Sequence, residues 1–239
     1  KRTYAYIPYG PVTKDFSEDF FVALREKLKE IACAEQAVFV RTDFSPSVSD
    51  AILSKFFRKA PDSTLHGAYF QPRTEWVLEL AKSETELYKE MHEKHRYSIR
   101  LSERREVSTE IVSSGVEKYF AVFYELMQET AQRDHFRLHE KKYYEHIFRT
   151  LSRIPDSYLS IATHRGKILA IASMLVYGNQ ANYIFGASSD ERRHRLPAYA
   201  AIWCAIRHAK ELGCATYNFG GIGWKNLTRF KQRFGGYEV

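Results

Sequence analysis

The strongest constraint on the fold is a run of three apolar segments in the second half of the chain, separated by two short polar turns. The segments are residues 158–163, 168–177 and 180–186, and the turns read RGK at 165–167 and GN at 178–179. Short loops with glycine or asparagine between strand-like runs are typical of β-hairpins. We therefore predict an antiparallel meander of three strands.

Predicted helices and two further strands surround this meander. A strand over 107–113 and helices over 116–133 and 140–152 precede it, and a helix over 197–212 and a strand over 217–219 follow it. The last helix has proline at its first position and glycine just after its end, as is usual for helix termini. The order strand, two helices, meander, helix, strand is that of an acetyltransferase-like (GNAT) domain.

The first part of the chain also alternates strands and helices, which is typical of α/β layer structures. Strands are predicted at 3–7, 37–44, 66–70 and 75–80, and helices at 16–33, with Ser17 as N-cap, and at 49–59. A capping-box pattern at Ser83 and Glu86 predicts one long helix to about Arg105, and a new domain starts there.

The predicted fold class is therefore α/β, with two GNAT-like domains side by side. The first domain is partial, spans residues 1–82 and is completed by 224–239, and the second spans 83–223. The repeat is one of strand and helix order, because no self-similarity of sequence is evident.

Composition and charge restrict the class of protein. Of the 239 residues, 44% are hydrophobic and 15% aromatic, with only 7 Pro and 12 Gly, which excludes disordered and low-complexity chains. The formal net charge of +7 favours anionic partners such as RNA, phosphorylated substrates or an anionic membrane face, because surface charge attracts opposite charge at long range. A basic protein without such a partner is the alternative at this point.

Cysteine usage and hydropathy predict a cytoplasmic protein without a transmembrane segment. The chain has an odd number of cysteines, Cys33, Cys204 and Cys214, and no C-x-x-C spacing. This pattern predicts neither a zinc site nor a disulfide framework. A reducing cytoplasm fits this pattern. The longest apolar run, Ile168 to Tyr177, has about half of the roughly 20 residues that span a bilayer.

The C-terminal stretch is the first place to look for function. A strand ends at Gly220-Gly221, and a helical turn follows that carries Phe230 and Phe234, four residues apart and therefore on one buried face. This places Lys231 beside an aromatic wall, with its charged end exposed. Such a lysine can stabilise negative charge that develops during a reaction. The alternative is an ordinary amphipathic turn with a solvated lysine.

Six sequence blocks are distributed over nearly the whole chain: YIPYGPV at 6–12, KHRYSIR at 94–100, RDHFRLHEKKYY at 133–144, YIFGASS at 183–189, YNFGGI at 217–222 and FKQRFGG at 230–236. These blocks, in this order, closely resemble the Fem-type peptidoglycan bridge aminoacyltransferases. The chain departs from the family at Tyr9, where the family usually has a basic residue, and between Gly221 and Leu227, where the segment is shorter than expected for the family.

The resemblance implies an aminoacyltransferase that moves an amino acid from aminoacyl-tRNA to the peptide stem of a peptidoglycan precursor. The expected partners are then aminoacyl-tRNA and a UDP-linked or lipid-linked muropeptide. Peripheral contact with the inner membrane face is compatible with this activity. No cofactor is expected. The process served is cell-wall biogenesis through interpeptide bridges, and with it cell shape.

The resemblance also implies roles for individual residues. Lys231 is the catalytic candidate, since attack on the ester produces an oxyanion that a cation can stabilise, and Phe230 shapes the cavity. No residue stands out as a general base. The residues implied in holding the acceptor are Arg133, Arg137, His139, Tyr143 and Tyr183. From residue chemistry alone, a solvated basic junction and a core tyrosine remain open alternatives.

The loop RRHRLPA at 192–198 stands where acetyl-CoA users of this fold have a glycine-rich turn for the pyrophosphate. It has no glycine, and Pro197 removes one N–H donor, so coenzyme A is disfavoured as the donor. Arg192, Arg193 and Arg195 are candidates for contact with tRNA phosphate, or are solvated loop charges.

No metal site is predicted, because His92 and His95 share a helix face without an evident third ligand. Two other classes of function stay open. One is a GNAT-like N-acyltransferase that uses another acyl donor, and the other is a non-catalytic RNA- or envelope-binding module of the same fold.

Overall fold

A computed structural model describes residues 3–44, 48–60, 71–72, 74–223 and 225–239. The chain divides into two compact units, Lys1–Arg73 and Thr74–Val239. This division falls before the strand at 75–79, whereas the sequence predicted a boundary after residue 82. Residues 225–239 belong to the second unit, because their last strand pairs with the strand at 75–79.

The first unit contains β1 (Thr3–Ile7), α1 (Glu18–Ala34), β2 (Ala37–Thr42) and α2 (Asp50–Phe56), and β1 pairs with β2 in parallel. Ser17 caps α1 as predicted, since its Oγ accepts from the Phe20 N–H at 3.3 Å. Phe21 is fully buried and forms ring contacts with Phe16, Phe20, Phe44, Phe56 and Phe57. The strand predicted at 66–70 lies outside the described residues.

The second unit contains seven strands and six α-helices within its described residues. In chain order they are β3 (Glu75–Glu79), α3 (Glu84–Glu90), α4 (Glu93–Arg104), β4 (Ser108–Val112), α5 (Phe120–Asp134), α6 (Lys141–Leu151), β5 (Tyr158–His164), β6 (Lys167–Tyr177), β7 (Gln180–Ser188), α7 (Pro197–Glu211), β8 (Thr216–Gly221), α8 (Lys225–Gln232) and β9 (Tyr237–Glu238). Short 3₁₀ turns at Val116–Tyr119 and Arg193–Arg195 precede α5 and α7.

These strands form one mixed sheet in the order β4-β5-β6-β7-β8-β3-β9. The predicted meander is confirmed, because β5, β6 and β7 pair antiparallel. β7 and β8 are parallel and pair only from Gln180↔Thr216 to Asn182↔Asn218, although both strands continue. The sheet therefore opens beyond Asn182, and the candidate site lies at this opening.

Helices cover both faces of the sheet, and the alternation along β5 shows how. Tyr158 and Ser160 face α7, where their hydroxyls donate to the carbonyls of Ala205 and Ala201 at 2.7 Å. Leu159 and Ile161 point to the other face and pack in the cluster formed with α5 and α6. In the described part of the chain, no helix is long and apolar enough to cross a membrane.

The single helix predicted from Ser83 to about Arg105 is wrong, because α3 and α4 are separate helices. Met91 and His92 have extended backbone, with ψ of 147° and 140°. The His92 N–H donates to the Arg233 carbonyl at 2.9 Å instead of continuing the helix. The capping box of Ser83 with Glu86 is present as predicted.

Candidate functional site

Helix α8 brings a lysine to the end of β8, at the opening of the sheet. Lys231 is only 5% exposed, and its Nζ donates to the Gly221 carbonyl at 2.6 Å. The predicted exposed end is therefore wrong. The reason is helical geometry: Lys231 precedes the fully buried Phe234 by three residues, and so lies on the same buried face. Arg229, by contrast, is exposed.

Two residues to which the sequence analysis assigned no role, Asn218 and Glu75, lie beside the glycine turn whose Gly221 carbonyl binds this lysine. The Asn218 amide donates to Glu75 Oε2 at 2.6 Å, and its Oδ1 accepts the Gly220 N–H at 2.7 Å. Burial lowers the pKa of Lys231 to about 8, and the negative charge of Glu75 opposes this shift. Asn218 belongs to the YNFGGI block, so that block contained a signal, whereas Glu75 is distant in sequence.

The glycine turn that ends β8, Gly220 and Gly221, begins with a backbone conformation that favours glycine. Gly220 has a φ of 73°, a left-handed conformation that other residues adopt only with strain. A Cβ built on Gly220 would lie 4.0 Å from Lys231 Nζ and 3.7 Å from the Tyr183 carbonyl oxygen. Lys231, the glycine turn and the Tyr183 backbone are therefore close together.

Tyr183 is placed by an irregularity in β7. The pairing with β6 skips Ile184, so that Met174 pairs with Tyr183 and Ser173 with Phe185. A Cβ on Gly186 would lie 1.6 Å from the Tyr183 hydroxyl oxygen, so this hydroxyl rests on the glycine. Burial raises the pKa of Tyr183, and its hydroxyl has no hydrogen-bond partner among the residues that the structure describes.

Phe230 packs beside Lys231 against a buried histidine of α4. His95 is 1% exposed, and its Nε2 lies 3.0 Å from the Phe230 carbonyl oxygen, which assigns the proton to Nε2. Burial lowers the pKa of His95 to about 4, so the ring is neutral near pH 7. Its ring contacts those of Tyr199, Phe230 and Phe234, with centroids 4.6 to 5.3 Å apart. No group of three metal-ligating side chains occurs among the described residues.

The predicted acceptor residues at the α5–α6 junction divide into two groups. The Arg133 guanidinium donates to Asp190 at 2.8 Å and to the Ser188 carbonyl at 3.1 Å, so it ties the end of α5 to the end of β7. Arg137, His139 and Tyr143 are exposed, and the rings of His139 and Tyr143 lie 4.4 Å apart.

This junction packs on the opposite face of β7 from Tyr183. Tyr143 contacts the ring of Phe185, which belongs to the core cluster under α5 and α6. Tyr183 packs instead with the cluster under α7. The structure therefore unites Lys231, Phe230 and Tyr183, while the exposed junction residues form a second group.

The arginine loop before α7 is held to its surroundings by two of its three arginines. Arg192 Nη1 lies 2.8 Å from His164 Nδ1, and Arg195 donates to the Arg105 carbonyl. Both are partly buried, whereas Arg193 is exposed. Only Arg193 therefore presents its whole charge to solvent.

Few backbone donors remain at the start of α7. Leu196 has a φ of 60°, and Pro197 is the first helical residue. The Tyr199 N–H already donates to the Leu196 carbonyl at 3.2 Å. This helix end is a poor cradle for a pyrophosphate, which needs several free N–H groups.

An open groove of about 430 Å³ lies along the solvent face of α8. Its basic side chains are Lys225 and Arg229, and Lys231 faces away from it. The remaining lining residues are Thr74, Ile222, Gly223, Thr228 and Gln232.

Comparisons with known proteins agree with this architecture. The family model described as "Acetyltransferase (GNAT) domain" matches residues 89–232. The Lipid II:glycine glycyltransferase of Staphylococcus aureus is 25% identical in an alignment 292 positions long, which covers 92% of this chain and 69% of the relative.

Two solved structures are similar in fold. The crystal structure of FemX has a TM-score of 0.75 and 22% identity, covering 98% of this chain and 77% of that chain. A tandem GNAT protein from the clavulanic acid biosynthesis pathway, solved without AcCoA, has a TM-score of 0.57 and 16% identity, covering 94% of this chain and 69% of that chain. These matches confirm the predicted α/β fold with a GNAT domain and the resemblance to the Fem-type family.

Proposed function

This chain belongs to the acetyltransferase (GNAT) domain family, and from that premise we propose that it is an aminoacyltransferase that forms peptidoglycan interpeptide bridges. The relative that is 25% identical is named a glycyltransferase acting on lipid II. The proposed donor is aminoacyl-tRNA, and the proposed acceptor is an amine on the peptide stem of a lipid-linked or UDP-linked muropeptide.

The observation that carries the proposal is the buried Lys231 at the opening of the sheet. In the proposed reaction the acceptor amine attacks the ester carbonyl, a C–N bond forms, and the ester C–O bond breaks. The amine loses a proton, and the tRNA ribose hydroxyl leaves with one. The tetrahedral intermediate carries an oxyanion, and one preorganised donor is worth about 3 kcal/mol there.

Lys231 can serve as this donor because it is both desolvated and cationic. With a pKa of about 8, about ten molecules in eleven carry the ammonium at pH 7. One N–H is held by the Gly221 carbonyl, which leaves two donors. In a site shielded from water these act on an oxyanion more strongly than in bulk solvent.

The proposed contacts to the acceptor are made by side chains whose polar groups are available for a ligand. The Tyr183 hydroxyl is proposed to bind the peptide stem, because the backbone of this tyrosine borders the same glycine turn as Lys231. The exposed Arg137, His139 and Tyr143 are proposed to hold the acceptor's phosphates and sugar, through charge and ring stacking. Arg133 positions that junction through Asp190 and Ser188 rather than through a free guanidinium.

The proposed tRNA contacts are electrostatic. Arg193 offers an exposed cation, and Lys225 and Arg229 line the open groove. Arg192 and Arg195 are proposed to shape the loop that presents Arg193. Aminoacyl-tRNA is preferred to acetyl-CoA as the donor because the start of α7 has few free N–H groups.

The test is Lys231→Met, assayed for transfer from charged tRNA to a muropeptide acceptor and for thermal unfolding. We expect kcat to fall by about 100- to 1,000-fold, with no loss of Tm, because methionine fills the volume and removes a charge that is costly to bury. The control Lys89→Met removes an exposed lysine of α3 and should change neither quantity. Near-normal transfer by Lys231→Met would end the proposal, and a parallel fall of Tm and activity would assign the lysine a structural role.

A further inference from the structure

We propose that Glu75 and Asn218 are positioning residues for Lys231, with the amide fixing the glycine turn that holds Nζ and the carboxylate supplying the negative charge that keeps the amine cationic. This inference rests on the proposed function, in which the ammonium form of Lys231 is the active one. It adds a strand from outside the C-terminal stretch to the reaction site.

Short hydrogen bonds and the backbone of two glycines connect the carboxylate to the lysine. Asn218 donates to Glu75 Oε2 at 2.6 Å and accepts from the Gly220 N–H at 2.7 Å. The Gly221 carbonyl, which lies two peptides further along the backbone, accepts from Lys231 Nζ at 2.6 Å. Asn218 is only 7% exposed, so loss of either bond leaves a buried polar group unsatisfied.

The backbone of the turn depends on this support. Gly220 adopts a φ of 73°, and the pairing of β3 with β8 shifts register between Glu75 and Val77, next to the turn. The Gly220 N–H donates to the Asn218 side chain, which fixes the peptide between Phe219 and Gly220. The peptide that carries the Gly221 carbonyl is held from the start of β3, because its Ile222 N–H donates to the Thr74 carbonyl at 3.1 Å. Asn218 therefore fixes the first half of the glycine turn, and the turn as a whole positions the carbonyl that binds Nζ.

The charged and polar groups near Lys231 belong to the elements packed around it. On β3 Glu75 is anionic, and on β8 the Gly221 carbonyl and the Asn218 amide are neutral dipoles. On α4 His95 is neutral near pH 7. The cation of α8, Arg229, is exposed and lines the groove, and Arg233, just after α8, acts on His95. In the described part of the chain, Glu75 is the one carboxylate whose charge acts on the lysine.

Glu75→Gln separates the two roles, because a glutamine oxygen still accepts from Asn218 while the charge is gone. An opposite charge nearby typically shifts a pKa by 1 to 3 units. We expect the pKa of Lys231 to fall by about one unit. Protonation arithmetic then gives a kcat about five times below wild type at pH 8, and within about 1.3-fold of it at pH 6.5.

The pKa is measured by following the ¹⁵Nζ resonance of Lys231 with pH in lysine-labelled protein, assigned by its absence in Lys231→Met. The control is Glu110→Gln, which removes the same charge from β4. In the sheet order β4 lies five strands from β3, which is about 24 Å at about 4.8 Å per strand. It should leave the pKa of Lys231 unchanged. An unchanged pKa in Glu75→Gln, or an equal shift in the control, overturns the charge role.

The role of the amide is tested with Asn218→Ala. We expect kcat to fall by about tenfold at both pH values with a similar KM for the muropeptide, as for a lost positioning contact. Wild-type kcat in this variant overturns the positioning role. If Glu75→Gln fails to fold, Glu75→Asp takes its place: the retained charge should hold the pKa of Lys231 near its wild-type value, and a one-unit fall would overturn the inference.

Failure of this inference is distinct from failure of the proposed function. The pKa titration needs no substrate, so it judges the role of Glu75 even if Lys231→Met proves fully active. Conversely, an inactive Lys231→Met with an unchanged pKa in Glu75→Gln would leave the proposed function in place and remove the role of the carboxylate.

Discussion

His95 is expected to make the fold acid-sensitive between pH 6.5 and pH 4. Its ring is 1% exposed and packs against Tyr199, Phe230 and Phe234. Protonation would place a charge in this apolar site, with Nδ1 lacking a partner among the described residues. Desolvation therefore lowers the pKa from 6.5 to about 4, and the Phe230 carbonyl offsets only part of this shift.

The sign and size of the effect follow from linkage. Between pH 4 and pH 6.5 the unfolded chain binds a proton at this residue that the folded chain does not, so stability falls as pH falls. With pKa values of 6.5 unfolded and about 4 folded, the loss is about 2 kcal/mol at pH 5 and about 3 kcal/mol at pH 4, relative to pH 8. This is a large part of the 5 to 15 kcal/mol typical of a domain.

Urea unfolding at pH 8, 6 and 5, on wild type and His95→Gln, measures this contribution. Glutamine keeps an N–H donor for the Phe230 carbonyl and cannot be protonated in this range. Other groups, including His164, whose pKa burial also lowers, titrate equally in both proteins. The difference in unfolding free energy should therefore change by about 2 kcal/mol between pH 8 and pH 5. Parallel stability curves for the two proteins would refute the reasoning.

Two further predictions concern Tyr183 and the arginine loop. Gly186→Ala should lower the unfolding free energy by about 1 to 3 kcal/mol, because its Cβ would occupy the place of the Tyr183 hydroxyl. In a Tyr183→Ala background, urea unfolding should show a much smaller loss of unfolding free energy on the same substitution. An equal loss in the two backgrounds would contradict the contact. Arg193→Ala should reduce the slope of log affinity for tRNA against log salt by about 0.7 to 0.9 without changing Tm, whereas Arg192→Ala should lower Tm because it breaks the contact with His164. Salt titrations and melting curves of both variants check this, and equal effects on the two quantities would refute the division of roles.

The meander and α7 were predictable because their signals are local. Glycine and asparagine at the turns, and Pro197 and Gly213 at the helix ends, act on the backbone beside them. The break at His92 carries a weaker signal. His92 is the N-cap of α4, since its Nδ1 accepts the Lys94 N–H at 3.2 Å, but histidine is not among the residues preferred at this position. The break is also supported by the Arg233 carbonyl, which accepts the His92 N–H and lies far along the chain.

The strand order was also beyond the sequence pattern. β3 lies between β8 and β9, so a strand from the first third of the chain joins two from its end. Periodicity identifies strands but does not say which of them pair. For the same reason the boundary predicted after residue 82 separated Glu75 from the stretch with which it forms hydrogen bonds.

The burial of Lys231, by contrast, could have been predicted from the helix period. Lys231 and Phe234 are three residues apart, so an arc that includes Phe234 also includes the lysine. The general tendency of lysine side chains to expose their charged ends predicted a solvated Nζ instead. A lysine on a buried arc needs hydrogen-bond acceptors, and the nearest come from the strand that the helix packs against. Here the Gly221 carbonyl and the charge of Glu75 meet this need, which is why the candidate site requires β3, β8 and α8 together.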